Sequence, residues 1–155
     1  VIRKNPQLFF EIAKEVLASG NEFRFKATGR SMQPFILDGD ILTISPIGSK
    51  KLKSGQIAFY FNDVNHLLAH RIHKINHTNT NITYLVKGDG LPYDLEYIHH
   101  EKILGFAIKA ERNIKTIHLN NIFNRYYPLI FLKTNVYKIK IKHVLRRIIK
   151  KLKTI

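Results

Sequence analysis

The chain contains no cysteine, which excludes a disulfide scaffold, a thiolate zinc site and a thiol nucleophile. It also has no long apolar run. The longest, Tyr126–Leu132, is seven residues and includes a proline, against the roughly 20 that a membrane-crossing helix needs. The N-terminal residues lack the cationic, apolar and small-residue layout of a secretory signal. The chain begins at Val1 rather than Met, which leads us to expect an upstream piece. Acidic residues are few, 11 against 26 Lys and Arg, for a net charge of +15. They are also confined: residues 112–155 hold 12 basic side chains and no acid, whereas residues 1–111 are nearly balanced. What is present suffices for a core. The chain has 155 residues, 45% of them hydrophobic and 24% charged, which is the size and composition of one folded domain and not of a disordered segment.

Residues 6–19 predict a helix, with Pro6 at its first position, an apolar stripe of Leu8, Phe9, Ile12, Val16 and Leu17, and Gly20 as its stop. From Glu22 the period changes to two, and Phe23, Phe25 and Ala27 alternate with Arg24 and Lys26 as in a half-buried strand. Further strands are expected at Ile41–Ser45, Gln56–Phe61, Leu67–Ile75, Ile82–Lys87, Ile103–Glu111 and Ile114–Leu119, separated by turns rich in Gly, Asn and Asp. The fold class implied is mainly β, a β-rich α+β domain with a short N-terminal helix. It occupies residues 1–119. Residues 120–155 divide into a linker carrying Tyr126, Tyr127, Pro128 and Phe131 and a basic amphipathic helix over Lys138–Lys153. In that helix Ile141, Val144, Leu145, Ile148, Ile149 and Leu152 form the apolar stripe, opposed by Lys142, Arg146, Arg147, Lys150, Lys151 and Lys153.

The chemistry-bearing stretch is Gly29-Arg30-Ser31-Met32-Gln33-Pro34, followed by Asp38-Gly39-Asp40 and an apolar strand. A serine nucleophile needs a stiff turn that holds its hydroxyl clear and N–H groups that receive an oxyanion. Gly29 permits close approach and Pro34 stiffens the turn; the plainer alternative is a polar loop serine. Serine needs a base, and His70 lies in an apolar strand where an imidazole is out of place. Its plainer alternative is a satisfied core histidine. Asp89 and Asp94 follow as acids that could orient the imidazole. Asp89 sits in a Gly-Asp-Gly turn where it could bond its own backbone, and Asp94 lies beyond the turn, freer to point elsewhere.

Gly-x-Ser-Met-x-Pro followed by Gly-Asp and an apolar strand resembles the nucleophile box of the signal peptidase I and LexA-type serine peptidases. Ser54-Gly55-Gln56-Ile57 is similar to that family's Gly-Asp-Ile-Val strand, with Gln56 in place of Asp. Ala69-His70-Arg71-Ile72 is similar to the His-Arg-Val box of the endoplasmic-reticulum and archaeal type signal peptidases, which use histidine where others use lysine. Lys87-Gly88-Asp89 and Ile103-Leu104-Gly105 resemble the later boxes, in family order, over about half the chain. The resemblance implies a compact signal-peptidase-like β domain with Ser31 as nucleophile and His70 as general base. It gives Asp94 as the orienting acid, Asp89 as a supporting one, and Met32 and Pro34 as shapers of the turn. Gly29 stands where many signal peptidases have a serine assisting the oxyanion, Gly90 stands in place of the family's Asn, and the residues from Val1 onward do not include a stretch like that family's N-terminal membrane anchor.

The function implied is serine endopeptidase cleavage of a leader or signal segment of an exported or modified peptide, with no cofactor. The alternative is a basic binding module for an anionic membrane or nucleic acid, resting on the acid-free segment 112–155. Nucleic acid is the less favoured partner, because residues 1–111 carry no known DNA-reading motif. The expected partners are thus a precursor peptide and, through the 138–153 helix, an anionic membrane surface; docking of that helix on the β domain is the competing reading. The expected location is cytoplasmic or peripheral to a membrane.

Overall fold

A computed structural model describes residues 5–63, 66–78, 81–91 and 95–131. Helix α1 spans Pro6–Ala18. Asn5 caps it by accepting the Leu8 N–H at 3.1 Å, and Pro6 occupies the first turn, where its missing N–H costs nothing. Eight strands follow among the described residues: β1 (Phe23–Lys26), β2 (Ile41–Pro46), β3 (Ile57–Phe61), β4 (Leu67–His77), β5 (Ile82–Lys87), β6 (Leu95–His99), β7 (Ile103–Arg112) and β8 (Lys115–His118). All pairings are antiparallel, in the order β1-β2-β7-β3-β4-β5-β6, with β8 added to β7 in one open sheet. Residues 122–131 form a second helix, α2, capped by the Asn121 side chain on the Asn124 N–H. The domain is mainly β, with a short helix at its start and α2 near its end.

The sheet is covered on both faces, and β3 shows why its sequence is almost wholly apolar. Ile57 and Phe59 point into a core formed with α1, Met32, Ile36, Leu42 and Ala107. Ala58 and Tyr60 point the other way, into a core with Ile72, Tyr84, Val86 and Ile98. Side chains alternate across a strand, so two buried faces require hydrophobic residues at both parities. Strand β4 divides likewise: Leu67 and Ala69 pack on the first core, Leu68 and Ile72 on the second.

Two segments differ from expectation. Strand β6 was not anticipated, because its alternation misleads: Leu95 and Tyr97 are exposed on the sheet's last edge and only Ile98 is buried. Tyr126, Tyr127 and Phe131, expected in a linker, instead lie on α2, where Tyr127 and Phe131 meet the Phe35 ring at 6.0 and 5.6 Å between centroids. The helix expected over Lys138–Lys153 lies outside the described residues. Among the described residues, no helix is long and apolar enough to cross a membrane.

One ion pair ties the turn before β2 to the far end of β7. Arg112 donates to both Asp40 oxygens at 2.9 and 2.8 Å, and Asp40 also accepts the Leu37 N–H at 2.8 Å. The hydrogen bonds from Arg112 hold the Asp40 carboxyl below its ordinary value, outweighing the opposing effect of burial. The folded pKa is therefore the lower one. Its stabilisation is complete above the ordinary value of 3.8 and is lost as pH falls through the folded value. Asp40→Asn is expected to cost about 1–3 kcal/mol at neutral pH. The gap to the unaltered protein should narrow as the pH is taken progressively below 3.8, which paired urea titrations would measure.

Candidate active site

Strand β5 ends at Lys87, opposite Arg71, so Leu67–His70 of β4 run on without a β5 neighbour. The chain that leaves β5 there meets the turn carrying Ser31. The Ser31 carbonyl accepts the Gly90 N–H at 2.7 Å, and a Cβ added to Gly88 would stand 2.6 Å from the same oxygen. Only glycine at position 88 allows that approach. A Cβ at Gly90 would likewise lie 2.7 Å from the Arg30 carbonyl. Gly29 opens the turn with φ +95°, and its N–H is held by Asp38 at 2.9 Å. Met32 is buried in the first core, while Ser31 remains partly exposed and Pro34 exposed. The core grips the turn by Met32, and the turn leaves Ser31 at the rim. There a cavity of about 490 Å³ opens, lined by Phe9, Phe25, Met32, Leu42, Phe59 and Ala69 among others.

His70 is 5% exposed, on the second-core side of β4. The last β5 pair, Lys87 with Arg71, is next along β4 to His70, and the Gly88–Gly90 turn that follows it meets the backbone of Ser31. The Nδ1 atom of His70 lies 3.1 Å from the Tyr60 hydroxyl, and that hydroxyl donates to Glu96 at 2.8 Å. Among the described residues no hydrogen bond joins the Ser31 hydroxyl to His70. The cavity that Ser31 lines is walled by first-core side chains, whereas His70 projects into the second core with Tyr60, so the structure does not bring the hydroxyl and the imidazole together.

Asp89 does not turn back on its own backbone as its Gly-flanked position suggested. Its oxygens take three contacts from Arg71, two from Nε at 2.9 and 3.1 Å and one from Nη2 at 2.7 Å. Both side chains are essentially inaccessible to solvent. Burial pushes the Asp89 carboxyl above its ordinary range, and Arg71, then Lys87 and His70, oppose that rise. Arg71 Nη1 also donates to the Gly55 carbonyl at 2.8 Å and to the Asn124 carbonyl of α2 at 3.4 Å. Its guanidinium stands 5.8 Å from the centre of the Phe35 ring. Asp94 lies outside the described residues. Among the described residues no group of three or more His, Asp or Glu side chains is gathered as a metal site would need.

Arg71, Tyr60 and Glu96 were not singled out from sequence. A buried arginine directly after the candidate base was the available signal for the first, since a charge so placed demands a partner. Glu96 gave none, because β6 itself was unrecognised.

No family model matches the chain, and no curated protein does.

Removing one member of a buried ion pair strands the other. Asp89→Asn is therefore expected to cost about 3–5 kcal/mol, read as a fall in the urea midpoint. Arg71→Lys should fall in the same direction, since an ammonium cannot serve Asp89, Gly55 and Asn124 together.

Proposed function

We propose that this protein is a serine endopeptidase of signal-peptidase type, with Ser31 as nucleophile and His70 as general base, acting on the leader segment of an exported or modified peptide. The observation that carries this reading is the bracing of the Ser31 turn by Gly88 and Gly90, in the turn that follows the Lys87–Arg71 pair next to His70. The ordered boxes that resemble signal peptidases add to it. So does the apolar cavity at Ser31, which suits side chains of an extended peptide lying along β4.

In this mechanism the Ser31 oxygen forms a bond to the scissile carbonyl carbon as its proton passes to Nε2 of His70. The carbonyl electron pair moves to oxygen, where backbone N–H groups of the turn receive it. Collapse breaks the C–N bond, and His70 returns the proton to the departing amine. Water, deprotonated by the same imidazole, then releases the acyl group from Ser31.

Incubation with a serine-directed fluorophosphonate, followed by mass spectrometry, tests the proposal. Ser31 is expected to carry the label, Ser31→Ala to abolish it, and His70→Gln to slow it by about 10²–10⁴-fold with the circular dichroism spectrum unchanged. Labelling at another serine, or none, overturns the proposal.

A second property is supported by α2. Ile122, Phe123 and Ile130 are 75%, 67% and 63% exposed, and with Tyr126 and Tyr127 they form one apolar row within the acid-free segment. Apolar and aromatic side chains next to concentrated positive charge suit an anionic lipid surface. Vesicles containing phosphatidylglycerol are expected to sediment the protein, and Ile122→Glu with Ile130→Glu to weaken this. Equal binding to neutral phosphatidylcholine vesicles would remove the case.

A further inference from the structure

The hydrogen bonds around Tyr60 determine which nitrogen of His70 carries the proton. Tyr60 is fully buried on β3, and its hydroxyl lies 2.8 Å from Glu96 Oε2 and 3.1 Å from His70 Nδ1. A carboxylate has no proton to give, and a phenol has one. That proton goes to Glu96. The Tyr60 oxygen is then an acceptor toward the imidazole, so Nδ1 must be the protonated nitrogen and the lone pair of a neutral ring must sit on Nε2. This is the tautomer that a general base toward Ser31 requires.

We propose that Tyr60 and Glu96 form the positioning arm of His70, reaching it from β3 and β6 across the second core. The inference deepens the peptidase reading and rests on it for its catalytic meaning. The arm works by two physical effects. The Nδ1–H to Tyr60 bond holds the ring in one orientation and one tautomer. When the ring takes a proton from Ser31, the phenol oxygen facing it has been made a better acceptor by donating to Glu96, and the carboxylate charge lies one hydroxyl away. No proton leaves Nδ1 at any stage, and none passes on to Glu96. Tyr60 and Glu96 are positioning residues, because neither touches the reacting atoms.

Other charged groups also face the imidazole. Asp89 acts on His70 through space from the turn after β5, Lys87 stands at the end of that strand, and Arg71 adjoins His70 on β4, paired to Asp89. Any pH effect of Glu96 must therefore be measured with the Arg71–Asp89 pair intact. By resemblance, Asp94 is the acid that would have this task. The two assignments make opposite predictions.

The test has two readouts on the full chain. The first is the ¹⁵N spectrum of His70 in the Ser31→Ala protein, titrated with pH, which needs no activity. An Nδ1–H tautomer is expected, with a midpoint that falls in Glu96→Gln. The second is the pH profile of fluorophosphonate labelling of Ser31. Glu96→Gln and Tyr60→Phe are each expected to slow labelling at neutral pH by about 10²-fold and to move the rising limb. Glu96→Asp should recover part of the rate. An Nε2–H tautomer, or a titration and profile that move in Asp94→Asn and not in Glu96→Gln, would overturn the arm. Failure of the unaltered protein to label at Ser31 would sink the peptidase reading, while the imidazole titration would still decide the arm.

Discussion

The guanidinium of Arg71 is the point on which the rest of the site depends. It holds Asp89 in the turn after β5, the Gly55 carbonyl in the turn before β3 and the Asn124 carbonyl on α2, and it stands over Phe35 in the Ser31 turn. A buried guanidinium must find acceptors in fixed directions. Four separate stretches of chain are thereby committed to one geometry. Such a pair need not add net stability, since two charges have been taken from water to make it. Its contribution here is placement: the Asp89 turn carries Gly88 and Gly90, and those two glycines brace Ser31.

Strand β4 separates two tasks by parity. Arg71 points to one side and secures the frame; His70 points to the other and meets Tyr60. Neighbouring residues on a strand cannot share a face. The paired His-Arg motif thus puts a titrating group and a permanent charge back to back, with one backbone positioning both.

Much of the sheet was legible in the sequence because burial and periodicity agreed there. Phe23–Lys26 and Ile82–Lys87 alternate as half-buried strands do, and Pro6 and Gly20 bound α1 by local backbone preference. At Leu95–His99 the same signal failed, since an edge strand can leave its larger apolar side chains, Leu95 and Tyr97, in solvent. Ser31, Met32 and the turn around them could be picked out as a local motif. Arg71 with Asp89, and Tyr60 with His70 and Glu96, are separated by 10 to 36 residues and become neighbours only through sheet register. Short-range pattern contains no record of such pairings.

Gly55 links the frame to the end of the described chain. It adopts φ +84°, and a Cβ there would lie 2.6 Å from the Arg125 carbonyl of α2, whose guanidinium grips Ser54 at 2.7 Å. The helix is seated on bare backbone, with no side chain between to cushion it. A single methyl group at this position would act as a wedge under α2, and the displacement would be felt at the other end of the helix, where Tyr127 and Phe131 hold Phe35. The Ser31 turn can thus be disturbed mechanically from a residue that has no part in its chemistry.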